Sequence, residues 1–342
     1  MNVVSNIKNM QTFLERLQDV TPILFDGAFG TELFNRGIKL PNSALATKLY
    51  PEAVRDVHDS YVAAGSDIIG TNTFVASPLH LEMADHDADD SDGLVTSAVE
   101  IARASADASD RDIYVAGSIG PSPGAIETDA GGTDFGIPNQ KVRDAHERVA
   151  ERMAEAGIDL FCLETMFSAT EAAIAVDVIR QFNLPIAVNC TYKYTKDRIT
   201  GEIVYKTDWG HSATSLLDFL SGGEYSDGVS LLDFVHVLGI NCGAEQHRVE
   251  HTGMPYVCQG IIELREAMKA RGINPIKPMM AYPNAGIPKL DKQQQTIYNQ
   301  SAEDMAVVVP ELLQAGAQII GGCCGTGPEH IRAFRRKIVK EL

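Results

Sequence analysis

The 342-residue sequence has no long uninterrupted apolar run, although 44% of its residues are hydrophobic. A membrane-spanning helix needs about 20 consecutive, predominantly apolar residues, so the sequence predicts no membrane span. The first residues also lack the compact apolar segment that is typical of a secretory signal peptide. We therefore expect a cytoplasmic protein with enough apolar side chains to fill a large core.

Cysteine is scarce, and positive charge is in deficit. Six cysteines are too few for a disulfide framework in a chain of this length, and in a reducing compartment they remain thiols available for metal binding or catalysis. The 29 lysines and arginines are outnumbered by 46 aspartates and glutamates, which gives a formal net charge of −17. This charge opposes binding to a phosphate backbone, so we expect no nucleic-acid partner. The acidic run at 84–92 is predicted to be a solvated loop.

What the sequence does contain is a repeated unit, in which a short β-branched or apolar run is followed by a turn and a helical pattern. Eight such runs predict strands, at residues 22–26, 66–71, 112–118, 159–164, 185–190, 234–241, 277–283 and 317–322. One helical pattern between them has Pro51 at its first turn and Gly65 as its C-terminal cap. The alternation predicts an α/β fold with a parallel sheet. Eight units predict one TIM-type (β/α)8 barrel over residues 1–342, with an open doubly wound sheet as the alternative.

Sulfur-bearing and polar residues follow the last three predicted strands, at the ends where barrel enzymes build their sites. Cys242 follows the sixth strand, Asn284 the seventh, and the adjacent Cys323 and Cys324 the eighth. Adjacent cysteines do not readily bridge, because consecutive Cα atoms lie about 3.8 Å apart and a disulfide needs roughly 4.4 to 6.8 Å. Three thiolates with an open fourth position are typical of a catalytic zinc site. The sequence therefore predicts zinc that activates a substrate thiol.

Two other interpretations of this region stay open. A glycine-rich loop after the eighth strand, running into a helix start at 327–330, is also typical of phosphate-binding barrel enzymes, although that interpretation leaves three thiols without a role. Alternatively, the metal site is itself the function, as in a zinc-binding or thiol-redox protein. The remaining cysteines, Cys162, Cys190 and Cys258, are interpreted as small buried hydrophobic residues.

Six motifs together resemble the homocysteine S-methyltransferase family: FDGAFGTEL at 25–33, GSDIIGTNTF at 65–74, LET at 163–165, GINC at 239–242, PNAG at 283–286 and GGCCGT at 321–326. The resemblance extends over essentially the whole chain. It is closest to the homocysteine-binding barrel of cobalamin-dependent methionine synthase. It implies methyl transfer to the thiol of homocysteine to give methionine, with zinc held by Cys242, Cys323 and Cys324.

The resemblance also implies roles for residues at the first and fourth strand ends. Asp26 and Glu164 face the same rim, where the family binds the amino group of homocysteine. The turn at Gly27 and Ala28 is then expected near the substrate carboxylate. On local sequence alone, Asp26 is also a common turn former.

Asn284 is implied as a fourth zinc ligand when no substrate is bound. Betaine-using relatives have a tyrosine after the fourth-strand glutamate for this purpose, whereas this chain has Thr165. The alternative is that Asn284 only shapes the turn in PNAG.

The sequence leaves the methyl donor open. Methionine synthase carries folate and cobalamin domains, which we do not expect in a chain filled by one barrel. The donor is then either a small onium compound, such as S-methylmethionine, a betaine or a sulfonium propionate, or a separate corrinoid protein. Aromatic residues near the rim loops are candidates to surround an onium methyl group, although packing is their commoner role: Phe29, Phe74, Tyr192, Tyr194 and Trp209.

Overall fold

The computed structural model describes residues 10–132, 135–196, 199–243, 248–292 and 296–341. Eight parallel strands form its central sheet, and we label them β1 to β8 in chain order: Ile23–Leu24, Ile68–Gly70, Tyr114–Ile119, Leu160–Met166, Ile186–Cys190, Val237–Cys242, Met279–Pro283 and Ala317–Ile320. Each strand overlaps one of the eight runs predicted from the sequence. Their near-continuous burial explains why these runs are apolar rather than alternating.

The strands are paired in chain order from β2 to β8, and β8 also pairs with β1. The two ends of this sheet meet at Asp67, whose N–H donates to the carbonyl oxygen of Leu24 at 2.6 Å. The Asp67 carboxylate accepts from the Leu24 N–H at 2.9 Å. These contacts bring β1 beside β2, so the fold is a (β/α)8 barrel and the alternative of an open doubly wound sheet is wrong.

Helices surround the sheet. The longer ones are Pro51–Ala64, Asp90–Asp107, Asn139–Ala156, Ala169–Ile179, Ala213–Ser221, Gly253–Ala270, Ala302–Ala315 and Pro328–Glu341. Shorter helices lie at Phe13–Arg16, Phe29–Asn35, Ala46–Leu49 and Pro78–Met83. The predicted cap is confirmed, because Gly65 ends its helix in the left-handed region with φ of 109°.

Two antiparallel hairpins follow barrel strands at the rim. Lys193–Lys196 pairs with Ile203–Lys206 after β5, and Pro288–Leu290 pairs with Thr296–Tyr298 after β7. The sequence pattern predicts neither hairpin. Short hairpin strands that are largely exposed carry little apolar periodicity, which is the signal that identifies barrel strands.

Three segments differ from their sequence interpretation or were unassigned by it. The acidic run at 84–92 is only partly a loop, because a helix begins within it at Asp90, where Lys48 forms an ion pair. Residues 253–260, unassigned from the sequence, are the start of helix Gly253–Ala270. Cys258 on this helix is only partly buried, which corrects its interpretation as a core residue, whereas Cys162 and Cys190 are buried as expected.

Within the described ranges, no helix combines the length and apolar character needed to cross a bilayer. The cytoplasmic location stays a prediction.

Candidate metal and substrate site

The three cysteines predicted as metal ligands meet at the carboxyl ends of β6 and β8. The Sγ atoms of Cys242, Cys323 and Cys324 all lie within 4.8 Å of one another, and those of Cys323 and Cys324 are 3.9 Å apart. No other described histidine, cysteine, aspartate or glutamate forms such a group of three. Sulfurs that bind one zinc at about 2.3 Å lie roughly 3.8 Å from each other, so this spacing fits a single soft cation.

Cys242 has a backbone conformation that is uncommon for residues other than glycine, with φ of 56°, and Thr165 shares it with φ of 57°. Asn241 locks the two positions together. Its Oδ1 accepts from the Thr165 N–H at 2.9 Å, and its Nδ2 donates to the Thr165 Oγ1 at 2.8 Å. Strained backbone of this kind persists only where the surroundings enforce it. The fold therefore fixes the end of β6 against the end of β4.

The loop that carries the other two cysteines is fastened to the end of β7. The Cys323 N–H donates to the carbonyl oxygen of Pro283 at 2.7 Å, and the Ala285 N–H donates to that of Cys324 at 2.9 Å. These bonds flank Asn284. The loop that carries Cys323 and Cys324 is therefore held directly beside the predicted fourth ligand.

Contacts among the three thiols shift their pKa values in opposite directions. Hydrogen bonds from Cys242 and from Cys323 hold the pKa of Cys324 well below its ordinary value, and the hydroxyl of Tyr298 on the second hairpin contributes in the same direction. Hydrogen bonds with Cys242 and with Cys324, together with burial, raise the pKa of Cys323. A cluster with one thiolate surrounded by thiol donors is a site suited to a cation, which favours ionisation of all three.

Asn284 is fully buried beside this cluster. Its Nδ2 lies 3.7 Å from the Cys242 Sγ, while no described residue hydrogen-bonds its Oδ1. A buried polar atom without a partner costs about 1 to 3 kcal/mol. A half-turn of the amide exchanges the two atoms and turns the oxygen toward the sulfurs, where a bound cation would satisfy it.

Asp26 and Glu164 face the same cavity as the cysteines, a space of about 250 Å³. The Asp26 carboxylate accepts from the Gly70 N–H at 2.8 Å and from the Tyr282 hydroxyl at 3.3 Å. Burial raises the pKa of Asp26 well above its usual value, the Gly70 bond opposes this, and the charge of Glu164 adds to it. Asp26 is therefore a carboxyl group that lacks a cation.

Glu164 is also a carboxyl group whose pKa is raised by burial. The Ser118 hydroxyl donates to its Oε1. Burial raises the pKa of Glu164 to about 7, with the Ser118 bond opposing the rise and the charge of Cys242 adding to it. Among the described residues, no lysine or arginine lines the cavity. A cationic ligand such as an ammonium group would therefore offset the burial of these two carboxyl groups.

The Gly27 and Ala28 turn forms part of the same cavity wall. A Cβ on Gly27 would lie 2.7 Å from the Tyr61 hydroxyl, so only glycine fits there. The Ala28 N–H donates to the Oγ1 of Thr326 at 3.2 Å, which means that this donor already has a partner within the protein.

The loop after β8 is poorly suited to the phosphate interpretation. The Gly325 N–H donates to the Oγ1 of Thr31, the Thr326 N–H to the carbonyl oxygen of Cys323, and the Gly327 N–H to the Nδ1 of His330, each at 3.1 Å. Phosphate-binding loops present free N–H groups to the anion. Here the three donors are engaged inside the protein.

Comparison of the sequence with known protein families identifies the family to which the chain belongs. A family model described as homocysteine S-methyltransferase matches residues 23–338, a range that includes all eight strands and every site residue above. The chain belongs to the homocysteine S-methyltransferase family. It is therefore a methyltransferase enzyme.

Relatives in this family are distant in sequence but similar in length. "Homocysteine S-methyltransferase 2" of Arabidopsis thaliana is 25% identical over 98% of each chain. "Homocysteine S-methyltransferase 2" of Zea mays is 27% identical over 93% of this chain and 90% of its own. A "Selenocysteine methyltransferase" of Astragalus bisulcatus is 26% identical over 90% of both.

Solved structures of a homocysteine methyltransferase, MmuM from Escherichia coli, share the fold. Its metallated form has a TM-score of 0.67 at 24% identity, covering 94% of this chain and 98% of that one. Its oxidized form has a TM-score of 0.66, also at 24% identity, covering 92% of this chain and 96% of that one.

In this member of the homocysteine S-methyltransferase family, several polar residues of the cavity were missed by sequence reasoning: Thr31, Ser43, Asn72, Ser118 and Tyr282. Asn72 lies within the quoted motif GTNTF, and Ser118 lies near the end of the third predicted strand, so position alone was an available signal. The sequence carried no such signal for Tyr282, because a tyrosine inside an apolar run is typical of a core residue.

Of the five rim aromatics, Phe29 and Phe74 line the cavity and the other three do not. Tyr192 is buried in the core, which makes it packing rather than a binding surface. Tyr194 is stacked on His251 with ring centres 4.6 Å apart. Trp209 lies beside the first hairpin and is partly exposed.

Proposed function

We propose that this enzyme transfers a methyl group to the thiol of homocysteine, giving methionine, with zinc held by Cys242, Cys323 and Cys324. The observation that carries the proposal is a single cavity with three converging sulfurs at one side and two cation-deficient carboxyl groups at another. Homocysteine has a thiol and an ammonium group at the two ends of a short chain. It therefore matches both sides of the cavity at once.

Asp26 and Glu164 bind the ammonium group of the substrate. Their raised pKa values show that each carboxyl group is destabilised as an anion without a partner, and an ammonium supplies one. Ser118 and Tyr282 hold the two carboxyl groups in place. The amino acid is thus fixed at one end, and its sulfur is directed toward the cysteines.

The substrate sulfur must be ionised to react, since a free thiol with pKa near 8.5 is only a few per cent thiolate at pH 7. Zinc, when bound to the three cysteines, supplies this activation by lowering the pKa of the homocysteine thiol. The sulfur lone pair forms the new bond to the methyl carbon while the donor's bond to that carbon breaks. The donor keeps that electron pair, and no protein side chain acts as a nucleophile.

The methyl donor is proposed to be a small onium compound or the methyl group of a separate corrinoid protein. Phe29 and Phe74 favour the first, because aromatic faces stabilise a positively charged methyl group. The test is methionine formation by the zinc-loaded protein from homocysteine and each donor in turn: S-methylmethionine, glycine betaine, dimethylsulfoniopropionate and methylcobalamin.

We expect methionine with at least one donor, and loss of that product when zinc is removed. Failure of every donor, together with no homocysteine binding, would contradict the proposed acceptor. Calorimetry in two buffers of different ionisation enthalpy separates these outcomes, because thiol binding as thiolate releases a proton.

Changing Asn284 to alanine should alter the zinc environment only in the substrate-free protein. We propose that the Asn284 amide oxygen would hold the fourth position of a bound zinc in the absence of substrate, and that the homocysteine sulfur would hold it when substrate is present. X-ray absorption at the zinc edge should then show three sulfurs and one oxygen at rest, and four sulfurs with homocysteine. In the alanine variant the resting spectrum should change while the four-sulfur spectrum is retained.

An unchanged resting spectrum in that variant would show that Asn284 only shapes the turn. A matched control is Asn189→Ala, because Asn189 is also fully buried, its Oδ1 also has no partner among the described residues, and it does not line the cavity. It should lower thermal stability but keep an oxygen in the resting zinc environment.

A further inference from the structure

Thr326 connects the two sides of the cavity although it does not line the cavity itself. Its side chain is fully buried. The Oγ1 accepts from the Ala28 N–H at 3.2 Å and donates to the carbonyl oxygen of Cys323 at 2.7 Å. One hydroxyl group therefore joins the turn after β1 to the metal-ligand loop after β8.

The direction of these two bonds is fixed by chemistry. A backbone N–H can only donate and a carbonyl oxygen can only accept, so the single proton of the hydroxyl must point to Cys323. The Thr326 hydroxyl is thus an acceptor toward the turn after β1 and a donor toward the loop after β8, and we call this contact region the junction. A valine of the same shape offers neither, and it would leave the buried Ala28 N–H without its partner.

Two glycines make the space that Thr326 occupies. A Cβ on Gly27 would lie 3.0 Å from the Thr326 Oγ1, and a Cβ on Gly322 would lie 2.5 Å from it. Neither glycine has a left-handed backbone that requires glycine. Both approach Thr326 closely, and Gly27 also approaches Tyr61, so the junction is built around the threonine.

Tyr61 braces the same junction from helix Pro51–Ala64. Its hydroxyl lies 3.1 Å from the carbonyl oxygen of Ala28 and 3.4 Å from that of Thr326. The turn after β1 is thus held through both its N–H and its carbonyl group. Little freedom remains for it to move relative to the cysteine loop.

We propose that Thr326 is a positioning residue that sets the separation between the ammonium-binding and sulfur-binding sides of the cavity. This inference rests on the proposed function, because it requires a substrate that engages both sides at once. Homocysteine spans the cavity, so its affinity depends on the relative placement of the two loops. An amino acid without a thiol engages only the side of Asp26 and Glu164.

The test compares L-homocysteine with L-2-aminobutyrate, which lacks the thiol, in the zinc-loaded protein. The measured quantity is the ratio of the two dissociation constants by calorimetry. Thr326→Val should reduce the preference for homocysteine by about 10-fold or more, in line with the effect of groups that orient metal ligands. Thr326→Ser keeps the hydroxyl and should restore most of the preference.

Thr207→Val is the matched control. Thr207 is also buried, its hydroxyl also accepts a backbone N–H, from His211 at 3.2 Å, and it lies outside the cavity wall. This variant should leave the preference unchanged. If Thr326→Val does not fold, Tyr61→Phe removes the other brace of the same junction, and it should reduce the preference in the same direction.

A preference for homocysteine that is retained in Thr326→Val, or in Tyr61→Phe where the valine variant does not fold, would overturn the inference while leaving the proposed function intact. If the unaltered zinc-loaded protein shows no preference for homocysteine over 2-aminobutyrate, the proposed function fails and the inference fails with it. A zinc affinity measured by chelator competition provides a readout that does not depend on turnover. It should fall in Thr326→Val and not in Thr207→Val.

Discussion

Changing Cys242, Cys323 and Cys324 together to serine should leave the purified protein without zinc and reduce methionine formation to below about 1% of the unaltered enzyme. Residues that merely orient a metal ligand typically contribute about 10- to 100-fold, and losing all three ligands exceeds that. Serine keeps the size of the side chain. Its hydroxyl remains protonated at neutral pH and does not replace a thiolate.

Metal analysis of protein purified without a chelator checks this result, together with a donor assay and a thermal unfolding curve. Cys258→Ser is the control, because Cys258 lies partly exposed on helix Gly253–Ala270 and outside the cavity wall. It should keep both zinc and activity. Full zinc content in the triple variant would place the metal elsewhere and remove the basis of the proposed function.

The barrel was predictable because its eight strands are buried on both sides. Strands such as Met279–Pro283 then appear as continuous apolar runs, separated by helices with clear caps such as Gly65. The hairpin at Lys193–Lys196 is different. It is held by pairing with its neighbour and by rim contacts, and neither leaves a periodic signal in the sequence.

The convergence of the cysteines and acids was predictable for a related reason. In a barrel, the residues that follow successive strands meet at one rim, so strand ends alone bring Cys242 near Cys323 and Asp26 near Glu164. Contacts between distant side chains do not follow from strand order. The bond between Thr326 and Ala28 joins residues 298 positions apart, and only the packed structure reveals it.

Changing Glu164 to glutamine should weaken homocysteine binding roughly 30-fold or more, which corresponds to about 2 kcal/mol, while leaving the zinc content unchanged. In the proposed function the Glu164 carboxylate is a partner of the substrate ammonium and not a metal ligand, so only substrate binding should be affected. Glutamine preserves the shape and the bond to Ser118. Calorimetric titration with homocysteine and metal analysis of the same samples measure the two effects separately.

Glu263→Gln is a matched control for this change. Glu263 is a partly buried glutamate whose pKa is also raised by burial, and it lies on helix Gly253–Ala270 away from the cavity. Its replacement should leave homocysteine affinity within about twofold, as for substitutions outside a binding site. A Glu164 variant that binds homocysteine like this control would remove Glu164 from the substrate site.

The pH dependence of amino acid binding tests whether Glu164 is the carboxyl group that binds the ammonium. Methionine is a suitable probe because it has no thiol to titrate. With a Glu164 pKa of about 7, the carboxyl group is largely protonated at pH 6, and an ammonium ligand must displace that proton before it gains an anionic partner. The affinity for methionine should therefore rise about tenfold between pH 6 and 8, since the ionised fraction of a group with a pKa of about 7 rises by about that factor over this range. In Glu164→Gln this rise should shrink to the part contributed by Asp26. Parallel pH profiles for the two proteins would assign the titration to Asp26 alone.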